Sequence, residues 1–297
     1  MNHSVEFPID LLYLVLVDGA NDHTPLCDIQ QIGGGDMSVA VRVETAQGVY
    51  FAKWQTPDIP PLSLAEGKGL LLLGSADSGL VVPQVIGLAD SDEGMLLLLE
   101  WLETAPATSH CAAALGRGLA RLHRHISEEQ YGLQDDNYIG SSLQINDWCD
   151  DWPTFFGEQR LGVMAEWLTI AKRWPARRAR LLERLLKRLP DLLPHDPPPS
   201  LLHGDLWGGN WLALADGRAA LIDPATYFGD RETDLAMTRL FEGFPPRFYD
   251  AYNAEWPLES GATERFPIYN LYHLMNHLLL FGERYGANVD RLLGRYA

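Results

Sequence analysis

The chain has 297 residues, 46% of them hydrophobic, and a formal net charge of −17 from 23 Lys and Arg against 40 Asp and Glu. That length allows a sizeable core or two lobes, and the acidic balance excludes a nucleic-acid partner, whose phosphates demand basic side chains. Cys27, Cys111 and Cys149 are far apart and lack metal-ligand spacing, which suits a reducing cytoplasm rather than a disulfide framework.

Taken in order, the residues up to about Gln31 read as a capping segment with mixed signals. Their longest apolar run, Ile9 to Val17, carries Asp10, is too short to span a bilayer and lacks a basic leader, so neither membrane insertion nor secretion is expected. Ile32-Gly33-Gly34-Gly35-Asp36 then borders a strand pattern from Val39, which turns at Gln47-Gly48 into a second strand ending at Lys53. Gly33, Gly34 and Gly35 could lay backbone N–H groups over phosphates, although such a run also suits an ordinary turn. A strand-end lysine is either a solvated edge residue or a phosphate lysine, and the position of Lys53 after the glycines favours the second.

A helix is expected from Leu64 to Gly74, where Glu66 is either an exposed charge or the ion-pair partner of Lys53. Two buried strands follow, Val81 to Leu88 and Met95 to Trp101, the second running to the sheet edge and into a linker. The resulting five-stranded N-lobe spans residues 1–102, and Glu100, Trp101 and Leu102 would offer backbone groups to an adenine edge. From Ala112 the pattern turns helical, with Leu115, Leu119 and Leu122 on one face and His123 as a core or capping residue. Residues Tyr131 to Trp152 are polar, aromatic and aperiodic, more typical of a binding surface than of filler. A basic amphipathic helix covers Lys172 to Arg188, its outer face either simply solvated or a patch for an acidic partner.

The densest chemical signal lies in the C-lobe, residues 103–297. Leu201-Leu-His-Gly-Asp205-Leu-Trp207-Gly-Gly-Asn210 is followed by two short apolar strands joined at Asp216-Gly217, a strong hairpin signal, and then by Asp223-Pro224. The hairpin returns Asp223 to the side of Asn210. An Asp, an Asn five positions later and a second Asp after a hairpin match the needs of phosphoryl transfer from ATP. The first carboxylate orients and deprotonates a hydroxyl, and the other two groups hold Mg²⁺. Asp234 reads as a helix cap or as an anchor for the catalytic loop. His273 and His277 are four apart on a helix, without the further ligands that zinc would need.

Four segments together resemble the fructosamine kinase (ketosamine-3-kinase) family: His203 to Asn210, Asp223 to Met237, Tyr138 to Asn146, and Leu271 to His277. The first two also belong, read loosely, to the wider aminoglycoside-phosphotransferase and choline-kinase superfamily, and Trp207 with the long Asp-Pro-Ala run narrows the match. The resemblance extends from about Ile32 to Tyr285. It implies a bilobal, protein-kinase-like α+β fold with a mostly helical C-lobe. It also implies ATP-dependent phosphorylation of the 3-hydroxyl of a sugar ketoamine, small or protein-bound, whose phosphate destabilises the adduct and releases the amine.

Carried over by position, Asp205 is the base, Asn210 and Asp223 are the Mg²⁺ ligands, and Lys53 is the phosphate lysine with Glu66 as its partner. Trp207 and His277 line the sugar pocket. Asp36 departs from the family pattern, since an acidic residue near the phosphates is unexpected. The expected enzyme is a cytoplasmic monomer. The alternatives are a phosphotransferase acting on an aminoglycoside or amino alcohol, and a nucleotide-binding scaffold without turnover.

Overall fold

The computed structural model describes residues 7–297 apart from 36, 37, 129, 242 and 243, so Asp36 lies outside the described residues. Residues 9–35 form a helix and a strand that join the N-lobe. Helix α1 (Ile9–Ala20) ends where Asn21 turns left-handed, with φ 50°, and its N–H closes on the Val17 carbonyl at 3.1 Å. Strand β1 (Leu26–Gly35) follows and pairs with β2 (Ser38–Thr45), which pairs with β3 (Val49–Gln55). After helix α2 (Leu62–Ser75) come β4 (Val85–Ser91) and β5 (Gly94–Glu100). The sheet is antiparallel, in the order β1-β2-β3-β5-β4.

One strand placement differs from expectation. Strand β5 lies inside the sheet, buried as expected, because its leucine run has no polar face to give to solvent. Leu96 and Leu98 pack towards α1, while Leu97 and Leu99 pack on the opposite side with Leu70 of α2. Strand β4 is the edge, only half buried, and starts at Val85; Val81 instead makes a parallel bridge to Ala220 in the C-lobe.

The C-lobe opens with α3 (Ser109–His123), capped by the Thr108 hydroxyl, which accepts from the Cys111 N–H at 3.2 Å. The aperiodic stretch holds a short hairpin of β6 (Asn137–Ile139) and β7 (Ser142–Gln144). Helix α4 (Trp152–Phe155) continues through a π-helical turn, Phe156–Gly162, into α5 (Val163–Ile170). Helix α6 (Ala176–Leu192) is the basic amphipathic helix, burying Leu182, Leu185 and Leu189. Strands β8 (Ser200–Leu202), β9 (Trp211–Ala213), β10 (Ala219–Leu221) and β11 (Tyr227–Gly229) frame the catalytic stretch as two antiparallel pairs, β8 with β11 and β9 with β10. Helices α7 (Glu232–Met237), α8 (Pro246–Glu255), α9 (Ala262–Phe281) and α10 (Gly286–Tyr296) complete the lobe. Its core is one continuous cluster that includes Leu119, Trp152, Phe156, Leu202, Phe248, Tyr269 and Leu293. No helix among the described residues is long and apolar enough to cross a membrane.

Candidate active site

The loop after β8 is held from below. Asp234 accepts the backbone N–H groups of His203 at 2.8 Å and Gly204 at 2.9 Å, together with Nε2 of His123 at 3.1 Å. Burial opposes the Asp234 charge, yet the hydrogen bond from His123 and the neighbouring donors bring its pKa below the ordinary value. His203 donates Nε2–H to the Ile222 carbonyl at 2.9 Å and accepts the Asp205 N–H on Nδ1 at 3.3 Å, which fixes its tautomer. Gly204 has φ +85°, and a Cβ there would run into the Ala225 carbonyl, so the turn that presents Asp205 excludes other residues.

Asp205 and Asn210 are joined directly. The Asn210 Nδ2 group donates to the Asp205 backbone oxygen at 2.9 Å, to Asp205 Oδ2 at 3.2 Å and to the Asp223 carbonyl at 3.3 Å. The β9–β10 hairpin turns at Gly217, φ +87°, and brings the Ile222 N–H to the Asn210 carbonyl at 3.1 Å. Asp223 then adopts φ 53°, a left-handed conformation uncommon outside glycine, and turns its carboxylate into the cleft. Burial, and after it the charge of Asp223, push the Asp205 carboxyl up to about 7. A carboxyl held there is suited to general-base work near neutral pH.

The N-lobe supplies the cation. Lys53 Nζ donates to both carboxylate oxygens of Glu66 at 2.8 Å and also to Asp223 Oδ1. Burial would lower the Lys53 pKa, but the two carboxylates outweigh it and raise it. Lys53 therefore stays charged. Burial raises Glu66, while Lys53 keeps Asp223 below the ordinary carboxylate range against its own desolvation. The Asp223 side chain is 43% exposed to the cleft. It can accept a further cation. With Asn210 Nδ2 committed to three acceptors, its Oδ1 and the Asp223 carboxylate form an all-oxygen, partly open donor pair. Mg²⁺, which takes few protein ligands and completes its shell with phosphates and water, fits such a pair.

Three cavities meet at these groups. The central one, about 600 Å³, is lined by Lys53, Glu66, Asp205, Asn210 and Asp223, with Tyr138, Gly140 and Ser141 of the β6–β7 hairpin along its lip. A second, about 230 Å³, is bounded by Glu100, Trp101 and Leu102, with Ile32, Phe51, Leu99, Leu212 and Ile222 as apolar walls. It suits a purine. The third, about 410 Å³, is aromatic, with Trp207, Phe241, His277, Phe281 and Tyr285 around Asp205. Gly33, Gly34 and Gly35 close β1 by pairing with Ala40, Val39 and Ser38. Ile32 and Ser38, on either side of the run, line the cleft.

Sequence reasoning overlooked the aromatic wall of Phe241, Phe281 and Tyr285, although Phe281 follows His277 at helical spacing. It also overlooked the polar layer beneath the site. Gln144 Nε2 donates to the Ala225 carbonyl at 3.2 Å and Asn137 Nδ2 to the Thr226 carbonyl at 2.7 Å, so the β6–β7 hairpin holds the backbone just after Asp223. The aperiodic polar composition of residues 131–152 was the visible signal.

With this geometry in place, comparison with known proteins becomes informative. The fructosamine kinase family model matches residues 15–297. The chain belongs to the fructosamine kinase family. The match reaches back into α1, further than the resemblance of the motifs alone. A relative from Lactiplantibacillus plantarum, described as a "probable ketoamine kinase", is 41% identical over 92% of this chain and 96% of its own length. The solved structure of an assigned fructosamine-3-kinase from Thermobifida fusca superposes with TM-score 0.86 at 33% identity, covering 97% of this chain and 98% of that one. An aminoglycoside phosphotransferase structure, APH(4)-Ia, superposes over 98% of this chain and 100% of its own with TM-score 0.64 at 16% identity. That likeness is one of fold alone, and it places the fructosamine kinase fold within a wider bilobal α+β architecture.

Proposed function

We propose that this protein is an ATP-dependent ketoamine kinase that transfers the γ-phosphoryl group to the 3-hydroxyl of a fructosamine- or ribulosamine-type sugar. The observation that carries this reading is the placement of Asp205, which borders both the central cleft beside Lys53 and Asp223 and the aromatic cavity beside Trp207 and His277. A nucleotide would lie with its base against Glu100–Leu102 and its phosphates beside Lys53, and the sugar would occupy the aromatic cavity. Trp207, 43% exposed, offers a ring for a sugar's apolar face. His277 donates Nδ1–H to the His273 carbonyl at 2.8 Å and so presents Nε2 as an acceptor.

In the reaction, Asp205 holds the hydroxyl in line and takes its proton as the oxygen attacks the γ-phosphorus; the bond to the bridging oxygen breaks and ADP leaves. Lys53, held by Glu66, steadies the phosphates. Asn210 and Asp223 would hold Mg²⁺, which when bound offsets charge on the phosphate oxygens. The phosphorylated ketoamine then decomposes and releases the amine. All these groups come from one chain, so a monomer suffices, and three unpaired cysteines are consistent with a cytoplasmic setting.

The aromatic cavity favours this reading over an aminoglycoside kinase. Asp205 is the single carboxylate among its described lining residues, whereas a polycationic aminoglycoside calls for several. The test is ADP release over a substrate panel. Stimulation by a ribulosamine or fructosamine, but not by aminoglycosides or choline, is expected, and absence of stimulation by any ketoamine would remove the proposal. ATP binding by an inactive wild type would support the scaffold alternative.

A further inference from the structure

Beside the aromatic cavity one cation has no assigned task. Arg284 sits in the turn between α9 and α10, exposed, with its guanidinium carbon 5.0 Å from the Phe281 ring centre and 5.2 Å from that of Tyr285, two walls of the cavity. Stacking on two rings restrains a guanidinium while leaving its N–H edge free to bond. Among the described residues no carboxylate lies within ion-pair reach of it and no hydrogen bond engages it. The adjacent carboxylate, Glu283, is already taken, because Arg178 grips both of its oxygens at 2.9 Å. Asp290, the next acid along, is tied to the same Arg178 at 2.9 Å. The positive charge is felt inside the cavity. Burial depresses the His277 pKa, and Arg284 adds to that depression against the hydrogen bond to His273.

In a chain of net charge −17, an exposed guanidinium that no described carboxylate neutralises, stacked on two walls of the proposed sugar pocket, is suited to receive an anion. Building on the proposed function, we infer that Arg284 receives the carboxylate of the amine component. The preferred substrates are then ketoamines of free α-amino acids, in which the carboxylate stands next to the nitrogen, rather than ketoamines of simple amines or of lysine side chains within proteins. With the reacting hydroxyl at Asp205, the sugar occupies the aromatic cavity and the amino-acid part leaves it past Tyr285. Arg284 is in this account a specificity residue, and the phosphoryl chemistry stays with Asp205.

The test compares a ribulosamine made from glycine with one made from methylamine, which differs by the loss of the carboxylate. The wild type is expected to favour the glycine adduct in kcat/KM by about 10-fold or more, the usual worth of a charge-assisted hydrogen bond. In Arg284→Met, which keeps an apolar contact with the rings, the ratio should fall towards one, Arg284→Lys should retain part of it, and Arg284→Glu should invert it. Equal ratios in the wild type and Arg284→Met, with both adducts phosphorylated, would overturn this inference alone. Failure of the wild type to phosphorylate either adduct would overturn the proposed function and this inference with it.

Discussion

Asp205 concentrates both the chemistry and its energetic cost. A carboxyl that burial and the Asp223 charge raise to about 7 holds its proton more tightly in the folded chain than in the unfolded one. The associated stability is therefore present at low pH and is lost as pH rises from the ordinary carboxylate range through about 7. Asp205→Asn, which cannot ionise, should accordingly melt higher than the wild type at pH 8, by roughly 3 °C or more, and the gap should close as pH falls towards 4; differential scanning calorimetry across that range checks it. The same substitution should reduce kcat by on the order of 10²–10⁴, the usual worth of a general base. The acid limb of kcat/KM against pH should fall near 7 at low Mg²⁺ and move to lower pH as Mg²⁺ increases, because a cation at Asp223 removes part of the repulsion that raises Asp205.

Among the elements, α2 links the carboxylates of the C-lobe to the Lys53 cation. Gly69 lets this helix approach the segment after Asp223 closely: an added Cβ would stand 3.0 Å from Pro224 Cγ and 3.3 Å from Thr226 Oγ1. Gly69→Ala should push α2 outward, pull Glu66 from Lys53 and raise KM for ATP several-fold with only a small change in Tm, which steady-state kinetics beside a thermal melt would reveal. Such close spacing of a helix against a loop is invisible in a sequence, where Gly67 and Gly69 merely weaken a helix pattern. The hairpin at Asp216-Gly217, by contrast, was legible, because a two-strand pattern around a turn dipeptide leaves few alternatives. Strand β5 was recognised as buried: an unbroken leucine run says that both faces are covered, and only the sheet order shows which strands flank it. The glycine run was read for its phosphate-binding potential; Gly33 to Gly35 pair along β2 at the end of β1, between the cleft residues Ile32 and Ser38.

At the scale of the whole molecule, the nucleotide would bridge two lobes joined by contacts such as the Lys53–Asp223 ion pair, the Leu221 N–H donating to the Val81 carbonyl at 2.9 Å and Leu73 of α2 in the C-lobe core. Binding should therefore stabilise the fold as a unit. ATP with Mg²⁺ at about 100 times its Kd adds about 2.7 kcal/mol, a rise of roughly 5 °C in Tm. Lys53→Ala should lose most of that rise in a thermal-shift assay. The motif order made the bilobal plan legible, since Lys53, Asp205 and Asp223 have no reason to converge in other arrangements. The aromatic cavity was not legible as a whole, because Phe241 and Trp207 meet Phe281 and Tyr285 only in the packed C-lobe.

The most direct test of the ketoamine-kinase account is phosphorus–proton correlation NMR of the product formed from ATP and a ribulosamine. The account predicts a phosphate coupled to the proton at carbon 3 in the wild-type reaction and no such product with Asp205→Asn. A phosphate on another hydroxyl, or ATP consumed without any phosphorylated sugar, would contradict it.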